Sequence, residues 1–260
     1  MTRSTIDITL GEVAATLALV AIAAVVSLWR RTELEGDLGI AVLRSFLQLT
    51  AVGYVIQAIF DSDNLWLVAL LLAVMVAFGS ATARSRAKAV PGALLPIFLA
   101  LSCAGLVTLG LVLALGVFNA EPRFLVPVGG MVIGNSMTAA AVSLNRLADE
   151  VVSQANRIEA TLALGATARQ AAADLVTRSL RSGMIPLIDS TKTTGVVFFP
   201  GTMVGMLVAG AEPLDAVRLQ LILLWTLLGA VALAALLATS LGYRGFFTPA
   251  HQLRELPARA

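Results

Sequence analysis

Reactive and charged side chains are scarce in this chain. Its 260 residues include one cysteine, Cys103, one histidine, His251, and two lysines, Lys88 and Lys192. One cysteine excludes a disulfide framework, and with one histidine it also excludes a His/Cys metal cage, so no resident metal is expected. Neither lysine follows a glycine, so the Gly-Lys-Ser/Thr end of a phosphate-binding loop is missing and the chain has no ATPase motif. No Ser/His/Asp triad or catalytic carboxylate pair presents itself, and there is no basic tail or aromatic-studded basic patch for nucleic acid. Charged residues make up 13% of the chain, where a soluble domain carries roughly 25%. Too little charge remains to cover a water-facing surface.

What is present is apolar. Hydrophobic residues make up 58% of the sequence, and mean hydropathy is +0.89. Several uninterrupted runs reach the roughly 20 residues that carry a helix across about 30 Å of hydrocarbon. Lipid offers no partner to open backbone groups, and the runs lack the alternation of barrel strands, so helices are the remaining choice. The expected fold is all-α, a polytopic membrane protein with about seven transmembrane helices near 8–29, 38–60, 64–82, 94–117, 124–143, 184–210 and 214–242.

The basic residues set the orientation. Arg30, Arg31 and Arg44 flank the first connection, and Arg84, Arg86 and Lys88 fill the third. Arg146, Arg157, Arg169, Arg178 and Arg181 lie in the fifth, and Arg244, Arg254 and Arg259 in the tail. The other side holds Arg3, Arg123 and Arg218 beside Asp61, Asp63, Glu121, Glu212 and Asp215. By the positive-inside rule the N-terminus is out and the C-terminus in. The first span, followed rather than preceded by its arginines, reads as a retained anchor. One transmembrane domain is expected over 1–243, with cytosolic helices at 144–183, followed by a cytosolic tail, 244–260, that is partly disordered around Pro249 and Pro257.

Two neighbouring segments carry the functional signal. The first, within 144–183, is an amphipathic helix bent near Gly165, with Ile158 and Leu162 at helical spacing. Its run Glu159-Ala160-Thr161-Leu162-Ala163-Leu164-Gly165-Ala166 is either a short face offered to a partner's groove or an interfacial helix lying on lipid headgroups. The second is the sixth span. Pro186 is expected in its first turn, where a proline is tolerated. Pro200-Gly201 falls near its middle, where proline removes a hydrogen bond. A helix broken at membrane depth lines a pathway or marks a packing kink, with Gly201 and Gly205 as a small-xxx-small contact. Asp189 and Lys192, three apart, form either an ion pair or a coupling site. Arg44 with Gln48 makes a polar stripe on the second span, and Asn135-Ser136 a polar patch near the end of the fifth. A metal in transit would meet oxygen or thioether groups such as Asp189, Asn135, Met203 and Met206.

The Glu159-to-Ala166 run resembles the coupling-loop signature of ABC transporter permeases. The importer pattern would place Ile-x-Leu-Pro about ten residues after the glycine, whereas this chain has Leu175 there and Ile185-Pro186 later. A longer set resembles one family: Met131-Val-Ile-Gly134-Asn135-Ser136-Met137, Leu144-Asn145-Arg146-Leu147, Ile185-Pro186-Leu-Ile-Asp189, Pro200-Gly201-Thr-Met203-Val-Gly205 and Gln220, with Arg44 and Gln48 upstream. On these motifs, spread over 38–242, the chain is identified as similar to the FetB/YbbM-type permeases (UPF0014), linked to iron export and including plant aluminium-tolerance half-transporters. The resemblance implies a multi-pass inner-membrane permease, a homodimer paired with a separate ATP-binding subunit that holds ATP and Mg. It implies ATPase coupling through Glu159, Ala160, Leu164, Gly165, Ala166 and Arg169. The pathway candidates are Arg44, Gln48, Asn135, Ser136, Asp189, Lys192, Pro200, Gly201 and Met203. Two alternatives stand beside it: a self-contained secondary transporter or channel using Asp189 and Arg44, and ABC export of an organic solute.

Overall fold

The computed structural model describes residues 10–30, 32–62 and 64–254. Arg3, Arg31, Asp63 and Arg259, used above for orientation, and the tail beyond 254 lie outside them. Every extended element among the described residues is helical: α1 Leu10–Arg30, α2 Glu35–Ser62, α3 Leu65–Arg86, α4 Leu94–Ala114, α5 Pro122–Ser153, α6 Ala155–Ala163, α7 Ala168–Thr193, α8 Gly201–Val208 and α9 Pro213–Gly242, then a 3-10 turn Tyr243–Phe246. Six of them, α1 to α5 and α9, are long and apolar enough to span a membrane. The remaining expected span, 184–210, is the end of α7 plus α8 with a break between them, so the all-α polytopic reading stands.

The chain divides into two compact units, residues up to Ser62 with Val208–Gly210, and the rest. In the first, α1 and α2 form a hairpin closed by Ser27. Its hydroxyl donates to Glu35 Oε2 at 2.6 Å and accepts the Leu34 N–H at 3.0 Å.

In the second unit, local chemistry sets the helix starts. Asn64 Oδ1 accepts the Trp66 N–H at 2.9 Å and caps α3. Pro122 and Pro213 open α5 and α9 from extended residues Glu121 and Glu212, where a missing N–H has no consequence. Helix α9 packs on α4 and α5, and α5 in turn on α7 and α3. The lipid-level contacts use small residues, among them Ala100, Ala104, Gly129, Ala139, Ala234 and Ala235. Hydrocarbon gives helices no hydrophobic reason to associate, so close backbone approach supplies the packing. Gly183 is the tightest case, since a Cβ there would fall on Ser143 Oγ and 2.8 Å from the Ala139 carbonyl oxygen.

The structure corrects three details. Helix α5 has 32 residues, about 48 Å; it continues past 143 to Ser153 rather than ending at the membrane. Helix α7 runs from Ala168 through Met184 to Thr193, so the sixth span starts no helix of its own and Pro186 sits deep inside one instead of in a first turn. The tail as far as Arg254, Pro249 included, is folded, and the rest of it lies outside the described residues: Phe246 and Phe247 are buried with Leu144, Leu147, Val151, Ile158, Ala172 and Leu175. That cluster, at the end rich in arginine, is a core of large side chains. It is the kind the hydrophobic effect builds in water.

Candidate functional site

The residues expected to couple form a single turn. Helix α6 ends in a Schellman arrangement: the Ala166 N–H reaches the Thr161 carbonyl at 3.3 Å and the Gly165 N–H the Leu162 carbonyl at 2.9 Å. This requires a left-handed residue, supplied by Gly165 at φ +91°. Thr167 then starts α7 with a capping box, its hydroxyl accepting the Gln170 N–H while Gln170 Oε1 accepts the Thr167 N–H at 2.8 Å. Ile158 is buried and holds α6 down. The result is an outward-facing tip: Leu164 is 90% exposed, and Glu159, Ala160, Gly165 and Arg169 are exposed, with Ala166 half-buried. An open cavity of about 510 Å³ adjoins the tip, lined by Glu159, Gly165 and Ala166 on one side and by His251 and Leu253 of the tail on the other. The tail is also pinned there, with His251 Nδ1 accepting the Ala168 N–H at 3.3 Å.

Behind the tip, α7 is one helix of 26 residues, about 39 Å long. A buried carboxylate clamps it to α5. Glu150, its side chain 8% exposed, meets Arg146 Nη2 at 2.6 Å on its own helix and Arg178 Nη1 of α7 at 3.8 Å. Gln154 Nε2 donates to Glu150 Oε2, the oxygen that also faces Arg178, at 2.6 Å. Sequence reasoning missed this group. The i,i+4 series Arg146, Glu150, Gln154 was a visible signal, but the Arg178 partner across the helix pair was not.

The far end of α7 carries the pathway candidates. A crevice of about 170 Å³ lies among α5, α7 and α9, lined by polar Asn135, Thr138 and Ser190 beside Gly183, Pro186 and Val231. Pro186 has no N–H, so the Ser182 carbonyl loses its helical partner beside this crevice. Asn135 Nδ2 and Thr138 Oγ1 donate back to Met131 and Gly134 carbonyls at 2.8 and 3.2 Å, which settles their donors inside the helix. Ser136, on another face of α5, is fully buried and its Oγ has no partner among the described residues. Asn135 is thus joined to Pro186, while Asp189 and Lys192 stand apart from the crevice. They pair with each other at 3.7 Å, 63% and 70% exposed.

After Thr193 the helix stops. Gly195 takes φ +84° and its N–H bonds the Phe198 carbonyl at 2.9 Å. Pro200 accepts the Val204 N–H at 3.0 Å, so Pro200-Gly201 opens α8 rather than kinking a longer helix. Met203 is buried in α8. A Cβ on Gly201 or Gly205 would have nothing within 4 Å among the described residues of its unit, so neither is a close packing contact there. Arg44 and Gln48 are exposed, four residues apart on α2 of the other unit. Among the described residues no three His, Cys, Asp or Glu side chains gather as a metal site.

Comparison with known proteins adds lineage. The Uncharacterised protein family UPF0014 matches residues 10–247. Protein ALUMINUM SENSITIVE 3 of Arabidopsis thaliana is 38% identical over 241 residues, 93% of this chain and 88% of that one. UPF0014 membrane protein STAR2 of Oryza sativa subsp. japonica is 40% identical over 246 residues, 95% and 86% of the two chains. Probable iron export permease protein FetB of Escherichia coli (strain K12) is 36% identical over 248 residues, 95% of each. No solved structure matches.

Proposed function

The chain belongs to the UPF0014 family, and from that premise we propose that it is the membrane subunit of an ATP-driven exporter, with iron or another metal ion as cargo. Two copies form the permease in the inner membrane, and separate ATP-binding subunits hold ATP and Mg. This chain is not itself an enzyme. The name of the Escherichia coli relative, probable iron export permease, supports cargo and direction. The observation that carries the coupling role is the continuity of α7, one helix from the exposed Leu164-Gly165 tip to the Pro186 crevice and the break at Gly195. A displacement imposed at the tip by an ATPase is carried along α7 from Ala168 to Pro186, about 27 Å, through helix with no other proline or break. The Glu150 clamp obliges α5 to follow. A metal ion leaving through the crevice meets hard oxygen donors from Asn135, Thr138, Ser190 and the Ser182 carbonyl.

The test is ATP-dependent metal efflux from proteoliposomes holding the chain with its ATP-binding subunit. Leu164→Asp and Glu159→Lys change exposed side chains, so folding stability stays within about 0.5 kcal/mol, while efflux falls at least tenfold at retained ATP hydrolysis. Wild-type efflux in both variants sinks the coupling role. Gradient-driven flux from this chain alone would instead favour the self-contained transporter.

A further inference from the structure

We propose that the cytosolic end of the second unit holds a phosphate-type anion, in a pocket built by the ordered tail and the first turn of α7. This stands apart from the transport reading. The pocket is about 400 Å³ and is lined by Arg169 of α7 and by Arg244 and Arg254 of the tail, with Tyr243, Thr248 and His251 beside them. Among the described residues no Asp or Glu lines it. None of the three arginines makes an ion pair among the described residues, whereas Arg146, Arg178 and Arg218 all do. All three are exposed around one cavity, and their planar forks match phosphate oxygens two at a time.

One fork is already set. Arg254 Nε donates to the Phe247 carbonyl at 3.2 Å, and its backbone N–H to the Phe246 carbonyl at 2.8 Å, which fixes the guanidinium and leaves its terminal nitrogens for a ligand. The tail itself is held by buried Phe246 and Phe247 and by the Thr248 N–H on the Gln252 carbonyl at 2.8 Å. The N-terminal amides of α7 are not the attraction, since Thr167 and His251 already occupy two of them.

Position selects the ligand. Helix α9 runs from Pro213 to Gly242, and with Asp215 and Arg218 at one boundary, about 30 Å of hydrocarbon ends near residue 238. Arg244 then lies about six residues further on, within reach of lipid headgroups. The ligand is a phosphate group, carried by an anionic lipid or free in solution. Occupied, the site ties the tail to the start of α7, immediately beside the Gly165 tip.

The full chain in nanodiscs tests this by thermal unfolding. Wild-type protein in phosphatidylglycerol discs is expected to melt about 5 °C above the same protein in phosphatidylcholine discs, as for a ligand well above its Kd. Inorganic phosphate added to phosphatidylcholine discs separates the sources: no rise assigns the site to the lipid headgroup, an equal rise to free phosphate. The combined Arg169→Gln, Arg244→Gln, Arg254→Gln variant should melt normally in phosphatidylcholine and lose the rise. A triple lysine variant, which keeps charge without the fork, covers the case of misfolding and should keep less than half of it. A full rise in either variant overturns the proposal. So does the absence of any rise with both probes, including the case where only an added ATP-binding subunit stabilises the chain.

Discussion

The closest helix approach in the second unit makes a quantitative prediction. Alanine at 183 places its Cβ against Ser143 Oγ, 3.1 Å from Ser143 Cβ and 2.8 Å from the Ala139 carbonyl oxygen. Ser143 can turn its hydroxyl away, because its Oγ has no hydrogen bond to lose. The Ala139 carbonyl belongs to the α5 backbone and cannot yield, so α5 and α7 must separate by a few tenths of an ångström. Overpacking of this kind costs about 1–3 kcal/mol, offset by less than about 1 kcal/mol from alanine's better helix propensity. The net loss lowers the melting temperature by roughly 2–8 °C, read by thermal unfolding of the purified chain in detergent. Ser143→Ala alone is neutral or slightly stabilising, since it removes an unsatisfied buried hydroxyl. Combined with Gly183→Ala it recovers part of the loss. Gly205→Ala is the control: with nothing within 4 Å, it stabilises α8 by about 0.5–1 kcal/mol. Gly183→Ala melting at or above wild type, or no coupling to Ser143→Ala, refutes the close-packed α5–α7 interface.

The Glu150 clamp and the Asp189 pair predict opposite outcomes. Glu150→Ala removes the acceptor of three groups and should lower stability by about 2–3 kcal/mol in a denaturation assay, while Glu150→Gln, which keeps a carbonyl for Gln154, loses about half of that. Asp189→Asn breaks an exposed pair of 3.7 Å and should change stability by less than about 1 kcal/mol. Any loss of efflux in that variant would then be functional rather than structural.

The sequence revealed polarity and turns more readily than helix ends. Apolar runs located the spans because a bilayer imposes length and composition together. The bend at Gly165 was legible because a glycine after an amphipathic run is what a Schellman ending needs. The end of α5 and the continuity of α7 into the sixth span were not legible, because crossing from lipid to water changes polarity without changing backbone geometry. Only a cap stops a helix, and the cap for α7 is Thr167 with Gln170, sixteen residues or so before the apolar stretch begins. In the tail Pro249 misled, whereas the better signal was Tyr243, Phe246, Phe247 and Leu253, apolar residues following a span with nothing yet to cover. In the site, Asn135 and Pro186 were both singled out, but their meeting across α5 and α7 depends on Gly183, which no local pattern marks.

The two kinds of packing divide the second unit mechanically. At the arginine-rich end, Leu144, Leu147, Val151, Ile158, Leu175, Phe246 and Phe247 interlock, and burying each large side chain from water stabilises the cluster by about 1.5–3 kcal/mol. Pulling α7 away from α5 there exposes that surface and takes Arg178 from the Glu150 carboxylate, which keeps Arg146 and Gln154. At the lipid end the same two helices touch through Gly183, Ala139 and Ser143, with Met184 beside Ala139, and hydrocarbon gives them no hydrophobic reason to stay together. A force applied at Leu164 therefore meets a rigid block first and a weakly held crevice second. Relative motion of α5 and α7 concentrates at the Pro186 level, where Asn135 and Thr138 of α5 and Ser190 of α7 line the crevice.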